Sequence, residues 1–131
     1  MADTELLFTL NPKDHRHGKA LKALKIRGLK IPDTALLEFQ AVLRARGRRP
    51  REAAEAVKAL KHIFTSYGVR EAKTINTDLI IKQAELEEKY GLTFFDSLIA
   101  ASALAVDPTI ISDDPAFDKI PGLKRIPLKN L

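Results

Sequence analysis

The stretch TFFDSLIAASALAVDPTIISDDPAF, residues 93–117, decides how the chain is read. Phe94, Phe95, Leu98, Ile99 and the residues from Ala100 to Val106 are apolar nearly all round, and Asp96 is the only ionisable side chain among them. A helix of that composition is normally buried within a fold. Thr93 is placed to cap its start, and Asp107-Pro108 to end it. Thr109 to Ser112 then forms a short apolar run, long enough for a buried strand.

The same grammar continues outward. Thr77 caps DLIIKQAELEEKY, which Gly91 stops; Pro50 opens REAAEAVKALKHIFTSY, which Gly68 stops; Asp33 caps TALLEFQAVLRAR, which Gly47 stops. Leu29 to Ile31 reads as a short strand closed by Pro32, and KRIP at 124–127 as another. Between residues 15 and 25, Leu21 and Leu24 share one helical face, with Lys19, Lys22 and Lys25 on another. No repeat, linker or low-complexity tract interrupts the 131 residues, so one domain over 1–131 is expected. Short apolar strands alternating with longer helices predict an α/β fold, a central, mostly parallel sheet with helices on both faces. In such sheets the ligand site lies beyond the carboxyl ends of the strands, where strand order reverses.

Composition removes several classes. Cysteine is absent, which excludes disulfides, thiolate metal sites and cysteine nucleophiles. Tryptophan is absent and aromatic residues are 6%, too few for a single-strand binder built on stacked rings. The uncharged run Ser97 to Val106 has ten residues, against the ~20 that span a bilayer, so no membrane role is expected. The opening MADTEL carries acids where a secretory signal carries bases, which predicts a cytoplasmic protein. The net charge of +5 is unevenly spread: residues 13–51 hold twelve Lys and Arg against three acids, while the remainder holds ten against fourteen. A basic front half points to an anionic partner such as RNA or DNA or an acidic protein tail; an ordinary solvated surface is the alternative.

Several acids have two readings. Asp96 is either the N3 member of a capping box with Thr93, or a carboxylate at the edge of a buried cavity that must be paired or metal-bound. Asp113 and Asp114 follow the TIIS run; they are either turn residues or, since adjacent side chains on an extended segment point oppositely, one of them faces a site. Glu38, whose helical neighbours are Thr34, Ala35, Ala41 and Val42, is either a surface glutamate or a site residue. Asp3 means nothing by itself.

Residues 92–128, LTFFDSLIAASALAVDPTIISDDPAFDKIPGLKRIPL, resemble the C-terminal half of PIN domains, the nuclease fold of VapC-type toxins. The family pattern is an Asp, a small residue and an apolar helix, then a strand, then Ser or Thr, one residue, Asp, two residues and Phe. Asp96-Ser97 and Ser112-Asp113-Asp114-Pro115-Ala116-Phe117 supply it, with Asp114 at the acidic position and Ser112 at the hydroxyl position. DTELLFTL resembles the first family motif and places Asp3 and Thr4; IPDTALLEFQAVL resembles the second and places Glu38. The resemblance spans essentially the whole chain and implies a three-layer α/β/α sandwich with about five short strands. Family members carry a strand before the first Asp, and only Met1 and Ala2 stand there, so either that strand is a stub or the sequence starts a few residues inside the true start.

The resemblance implies a metal-dependent endoribonuclease, the toxin of a VapBC-type pair. Four carboxylates without His or Cys partners suit Mg²⁺ or Mn²⁺ and not zinc. Asp3, Asp96 and Asp114 would hold the metal, Glu38 would be a ligand or orient the attacking water, and Thr4 and Ser112 would fix carboxylate geometry. Arg44, Arg46, Arg48, Arg49 and Arg51 either contact RNA phosphates or complement a helix C-terminus and solvate a loop. A homodimer and an antitoxin protein that blocks the acids are further implications. A catalytically silent PIN-fold RNA-binding or scaffold protein is the alternative. A nucleotide-binding α/β domain lacks its Gly-rich phosphate loop here.

Overall fold

A computed structural model of the chain describes all of residues 1–131. Its elements run α1 Thr4–Thr9, α2 His17–Leu24, β1 Lys30–Pro32, α3 Asp33–Ala45, α4 Pro50–Tyr67, β2 Arg70–Ala72, α5 Thr77–Tyr90, α6 Phe94–Val106, β3 Thr109–Ile111 and β4 Lys124–Ile126, with 3₁₀ turns at Pro115–Lys119 and Leu128–Asn130. β1 pairs in parallel with β2, and β3 in parallel with β4. The residues before Asp3 lie between these two pairs. Ala2 N donates to Lys30 O at 3.0 Å on one side, while Ile111 N donates to Met1 O at 2.9 Å and Asp3 N to Ile111 O at 3.3 Å on the other. Spatial order is therefore β2, β1, residues 1–3, β3, β4.

The regular strands number four, in two pairs, where about five in one sheet were expected. Proline explains the break. In a parallel ladder the next donor toward the Ala2 carbonyl would be the N–H of residue 32, and Pro32 has none. The stub thus forms a full parallel bridge only with Ile111. β2 was not foreseen from sequence. Its residues Arg70, Glu71 and Ala72 carry no apolar run, since the strand lies at the sheet edge with its first two residues exposed.

The helices follow their caps. Gly68 and Gly91 end α4 and α5 in the left-handed region, at φ 67° and 63°, where a β-carbon is penalised. Thr93 caps α6 as expected, accepting from Asp96 N at 3.2 Å. The cap of α5 is Asn76 and not Thr77: Asn76 Oδ1 accepts from Leu79 N at 2.8 Å. α2 starts at His17, two residues later than the polar segment suggested. α6 is the buried helix of the fold, with Ser97 to Ala103 all inaccessible, and it packs on α3, α5, β1 and β3. Leu6, Leu7, Leu24, Ile31, Phe39, Ile99, Ile110 and Phe117 fill the core around it.

Asp33 is not the cap of α3: the helix begins at Asp33 itself with Pro32 at the N-cap position, and the Asp33 side chain reaches across to the loop after β2. Its Oδ1 accepts from Thr34 N at 3.0 Å and Thr74 Oγ1 at 2.6 Å, and its Oδ2 from Thr74 N at 2.8 Å and Ile75 N at 3.0 Å. Ser102 on α6 joins this cluster, 2.7 Å from Thr34 Oγ1 and 2.8 Å from Thr74 Oγ1. The clamp fixes the N-terminus of α3 to the middle of α6, so Glu38 and Asp96 ride on helices locked together.

Candidate active site

Asp3 and Ser112 stand at the carboxyl ends of two neighbouring parallel segments, residues 1–3 and β3. The chain runs from the stub toward β1 and β2, then returns to the other side for β3 and β4, so strand order reverses there. That is where an open α/β sheet binds its ligand. Asp3 is 6% exposed and accepts two hydrogen bonds, from Thr4 N to Oδ1 at 2.7 Å and from Ser112 Oγ to Oδ2 at 2.6 Å. Ser112 Oγ also accepts from Asp114 N at 3.0 Å, so one hydroxyl links the first acid to the last.

Glu38 on α3, Asp96 in the first turn of α6, and Asp114 after β3 are half-buried. Burial pushes the Asp3 carboxyl up to about 7, against the lowering effects of the Ser112 hydroxyl and the Thr4 amide; the charges of Asp96 and Glu38 push it further up. Glu38 is raised by burial and by Asp96, and Asp96 by burial and by Asp114. The four carboxylates form one electrostatically linked set, and none of them is in an ion pair. Thr4 acts on Asp3 through its backbone amide. Its hydroxyl sits beside Glu38 and tempers that rise, yet Thr4 Oγ1 is buried without a hydrogen-bond partner.

Four oxygen donors and an orphaned hydroxyl fit a hard divalent cation. Asp3, Asp96 and Asp114 would be the residues to hold one, with Glu38 electrostatically linked to them. No three acidic or histidine side chains stand at joint metal-holding spacing, however. Asp114 Oδ1 is engaged by Ala116 N at 2.9 Å, and like charges facing one another favour separation. Asp113 turns away: its N–H donates to Glu5 and its Oδ1 accepts from Lys129 N.

All five arginines of the 44–51 segment are exposed. Arg48 and Arg49 lie 3.6 and 3.7 Å from the Glu52 carboxylate, and the guanidinium carbon of Arg46 lies 5.0 Å from the centre of the Phe8 ring. Arg44 and Arg51 form no ion pair. Arg46 lines a cavity of about 560 Å³ with Lys13, Arg16 and Glu5, and Glu5 Oε2 accepts from Asp113 N at 3.1 Å, which brings this cavity to the acidic end.

Three residues at this end were missed from sequence. Glu5 pairs with Arg16, and Arg125 donates to Ser112 O at 3.2 Å and pairs with Asp118 at 2.9 Å, close enough to feel Asp113 and Asp114. Only the KRIP run hinted at Arg125; nothing local marked the partnership of Glu5 with Arg16.

Short parallel strands layered with helices, ending in an unneutralised set of carboxylates at the switch in strand order, define an acidic-site α/β domain. The chain belongs to the PIN domain family, whose model matches residues 1–123. A search of curated proteins finds no match. Among solved structures it is similar to VapBC2 from Rickettsia felis bound to a promoter DNA fragment, with a TM-score of 0.66 and 18% identity, covering 97% of this chain and 96% of that one. It is also similar to a toxin-antitoxin complex from Klebsiella pneumoniae, with a TM-score of 0.64 and 21% identity, covering 93% and 92%. At these identities the likeness shows the shared fold.

Proposed function

We propose that the protein is a metal-dependent endoribonuclease, the VapC-type toxin of a toxin-antitoxin pair. The observation that carries this is the set of Asp3, Glu38, Asp96 and Asp114 at the switch point, one buried and three half-buried, none of them in an ion pair, with Asp3 pushed up to about 7. A bound Mg²⁺ or Mn²⁺ would supply a low-pKa water and charge neutralisation at a phosphodiester. Asp3, Asp96 and Asp114 hold negative charge for that ion. Glu38 accepts a hydrogen bond from the attacking water or joins the ligands. Ser112 fixes Asp3 by its hydroxyl and the Asp114 loop by accepting the Asp114 amide. Arg46, with Lys13 and Arg16, draws RNA phosphates toward the acids, and the other arginines of the segment add charge along the approach.

This reading carries with it a cytoplasmic homodimer and an antitoxin that covers the acids. The Klebsiella pneumoniae neighbour is a toxin-antitoxin complex, which supports a protein partner. No helix is long and apolar enough to cross a membrane. A second reading is a catalytically silent PIN-fold RNA-binding or scaffold protein, favoured by the absence of three acids at metal-holding spacing. Labelled single-stranded RNA incubated with Mg²⁺ or Mn²⁺ separates the two. Cleavage that disappears with EDTA and in Asp96→Asn is expected. RNA bound by the wild type but left intact at every metal concentration supports the silent module.

A further inference from the structure

A cavity of about 670 Å³ lies at the other end of the sheet from the acids. Two turns form it, the one entering β1 and the one entering β2, and they place four cations around a single opening: Lys25, Arg27, Lys30 and Arg70. No acid is among the lining residues. None of the four cations is in an ion pair, and none of their side chains donates a hydrogen bond within the chain.

The strand register adds an independent observation. Lys30 and Arg70 are directly opposed across the parallel β1–β2 pair. Like charges facing one another across a ladder destabilise it, and an anion between them would relieve the repulsion. Glu71 relieves nothing, because neighbouring strand residues point to the opposite face. The backbone turns at Gly28 and Gly68, with φ 80° and 67°, and a β-carbon at either would meet nothing within 4 Å, so both turns leave the mouth open. Tyr67 and Ile26, each 37% exposed, give this charged opening an apolar wall.

Unpaired cations, a like-charged cross-strand pair and an exposed ring fit a ligand with several phosphates and a base. A cavity of this size is in the range that accepts a nucleotide. We propose that the basic cavity at the amino ends of β1 and β2 binds nucleotide phosphates, with Arg27 and Arg70 as main contacts and Tyr67 as a platform for a base. The assignment goes beyond the nuclease reading, since it needs neither metal nor cleavage. Those phosphates come either from an RNA strand or from a free nucleotide.

Fluorescence anisotropy with a labelled 12-nucleotide RNA, and calorimetry with ADP, test the assignment. Both use the full chain in EDTA at 50–200 mM KCl, so that no cleavage competes. The test variant is Arg27→Gln with Arg70→Gln; the control is Lys58→Gln with Lys61→Gln, which removes the same charge from α4. Weakening of RNA binding by roughly tenfold in the test variant alone, with a log–log salt slope shallower by about 1.4, supports the site and identifies a strand as the ligand. Loss of ADP binding in the test variant alone supports the site and identifies a free nucleotide. Equal effects of the two double variants, or no effect on either ligand, overturn it.

Discussion

Asp3 and Asp33 occupy matching places, each following an extended segment and leading into a helix, yet the structure treats them oppositely. Asp33 has both oxygens saturated, accepting four hydrogen bonds that tie the start of α3 to the loop after β2. Asp3 is the more deeply buried and accepts two, with two other acids close enough to raise it. A carboxylate retained for architecture is given its donors by the fold. A carboxylate left short of donors, as Asp3 is, has a deficit that a cation would fill. The difference lies in the neighbours: Thr74 and Ile75 present amides to Asp33, whereas Glu38 and Asp96 present carboxylates to Asp3.

The two residues should therefore fail differently when changed. Asp3→Asn is expected to lower metal-dependent RNA cleavage by at least ~10²-fold while the protein stays folded, as read by initial rates beside a thermal melt. Asp33→Ala is expected to cost about 2 kcal/mol of stability, since it removes the acceptor of the Thr74 and Ile75 amides and of the Thr74 hydroxyl. Its folded fraction should keep its specific activity, measured below the new melting temperature. Equal losses of activity in both variants would erase the distinction.

A pH series sharpens the contrast. The folded Asp3 value, about 7, lies above the ordinary 3.8, so between those pH values the folded protein keeps a proton that the unfolded chain releases. Its contribution to stability is fully present below pH ~4 and is lost as pH rises through about 7. Metal-free wild type is expected to melt at lower temperature at pH 8 than at pH 5, with a difference of a few kcal/mol at most. The melt of Asp3→Asn should vary less over this range, and added Mn²⁺ should remove most of the wild-type decline. A wild-type melt independent of pH between 5 and 8 would place the Asp3 charge elsewhere.

The smallest expected effect concerns the basic segment. Arg44→Ala with Arg51→Ala removes two arginines that have no ion pair, and should flatten the salt slope of RNA binding by about 1.4. Arg48→Ala with Arg49→Ala should flatten it less, because both already lie beside Glu52. An unchanged slope in both would return the segment to plain helix-end solvation.

What was legible in the sequence was local. The all-apolar helix with one acid, the run Ser112 to Phe117 and the glycine stops follow from neighbouring residues, and they place α6, β3 and two of the acids. What was not legible was long-range. The Ser112–Asp3 hydrogen bond joins residues 109 apart, and the Asp33–Thr74 bond joins residues 41 apart, so neither leaves a periodic signal. β2 hid because an exposed edge strand needs no apolar run, and the sheet divides at Pro32 because one missing amide ends a ladder that two residues of stub cannot extend. The acids were found by motif, but their lack of counter-charge is a property of the folded arrangement.

Titration calorimetry with Mn²⁺ at pH 7.5 in two buffers of different ionisation enthalpy measures divalent cation binding by the Asp3 set directly. A saturable site is expected, with proton release on binding, lost in Asp3→Asn and Asp96→Asn and kept in Asp118→Asn, whose carboxylate pairs only with Arg125. No saturable binding to the wild type, or binding equally strong in all three variants, would contradict it.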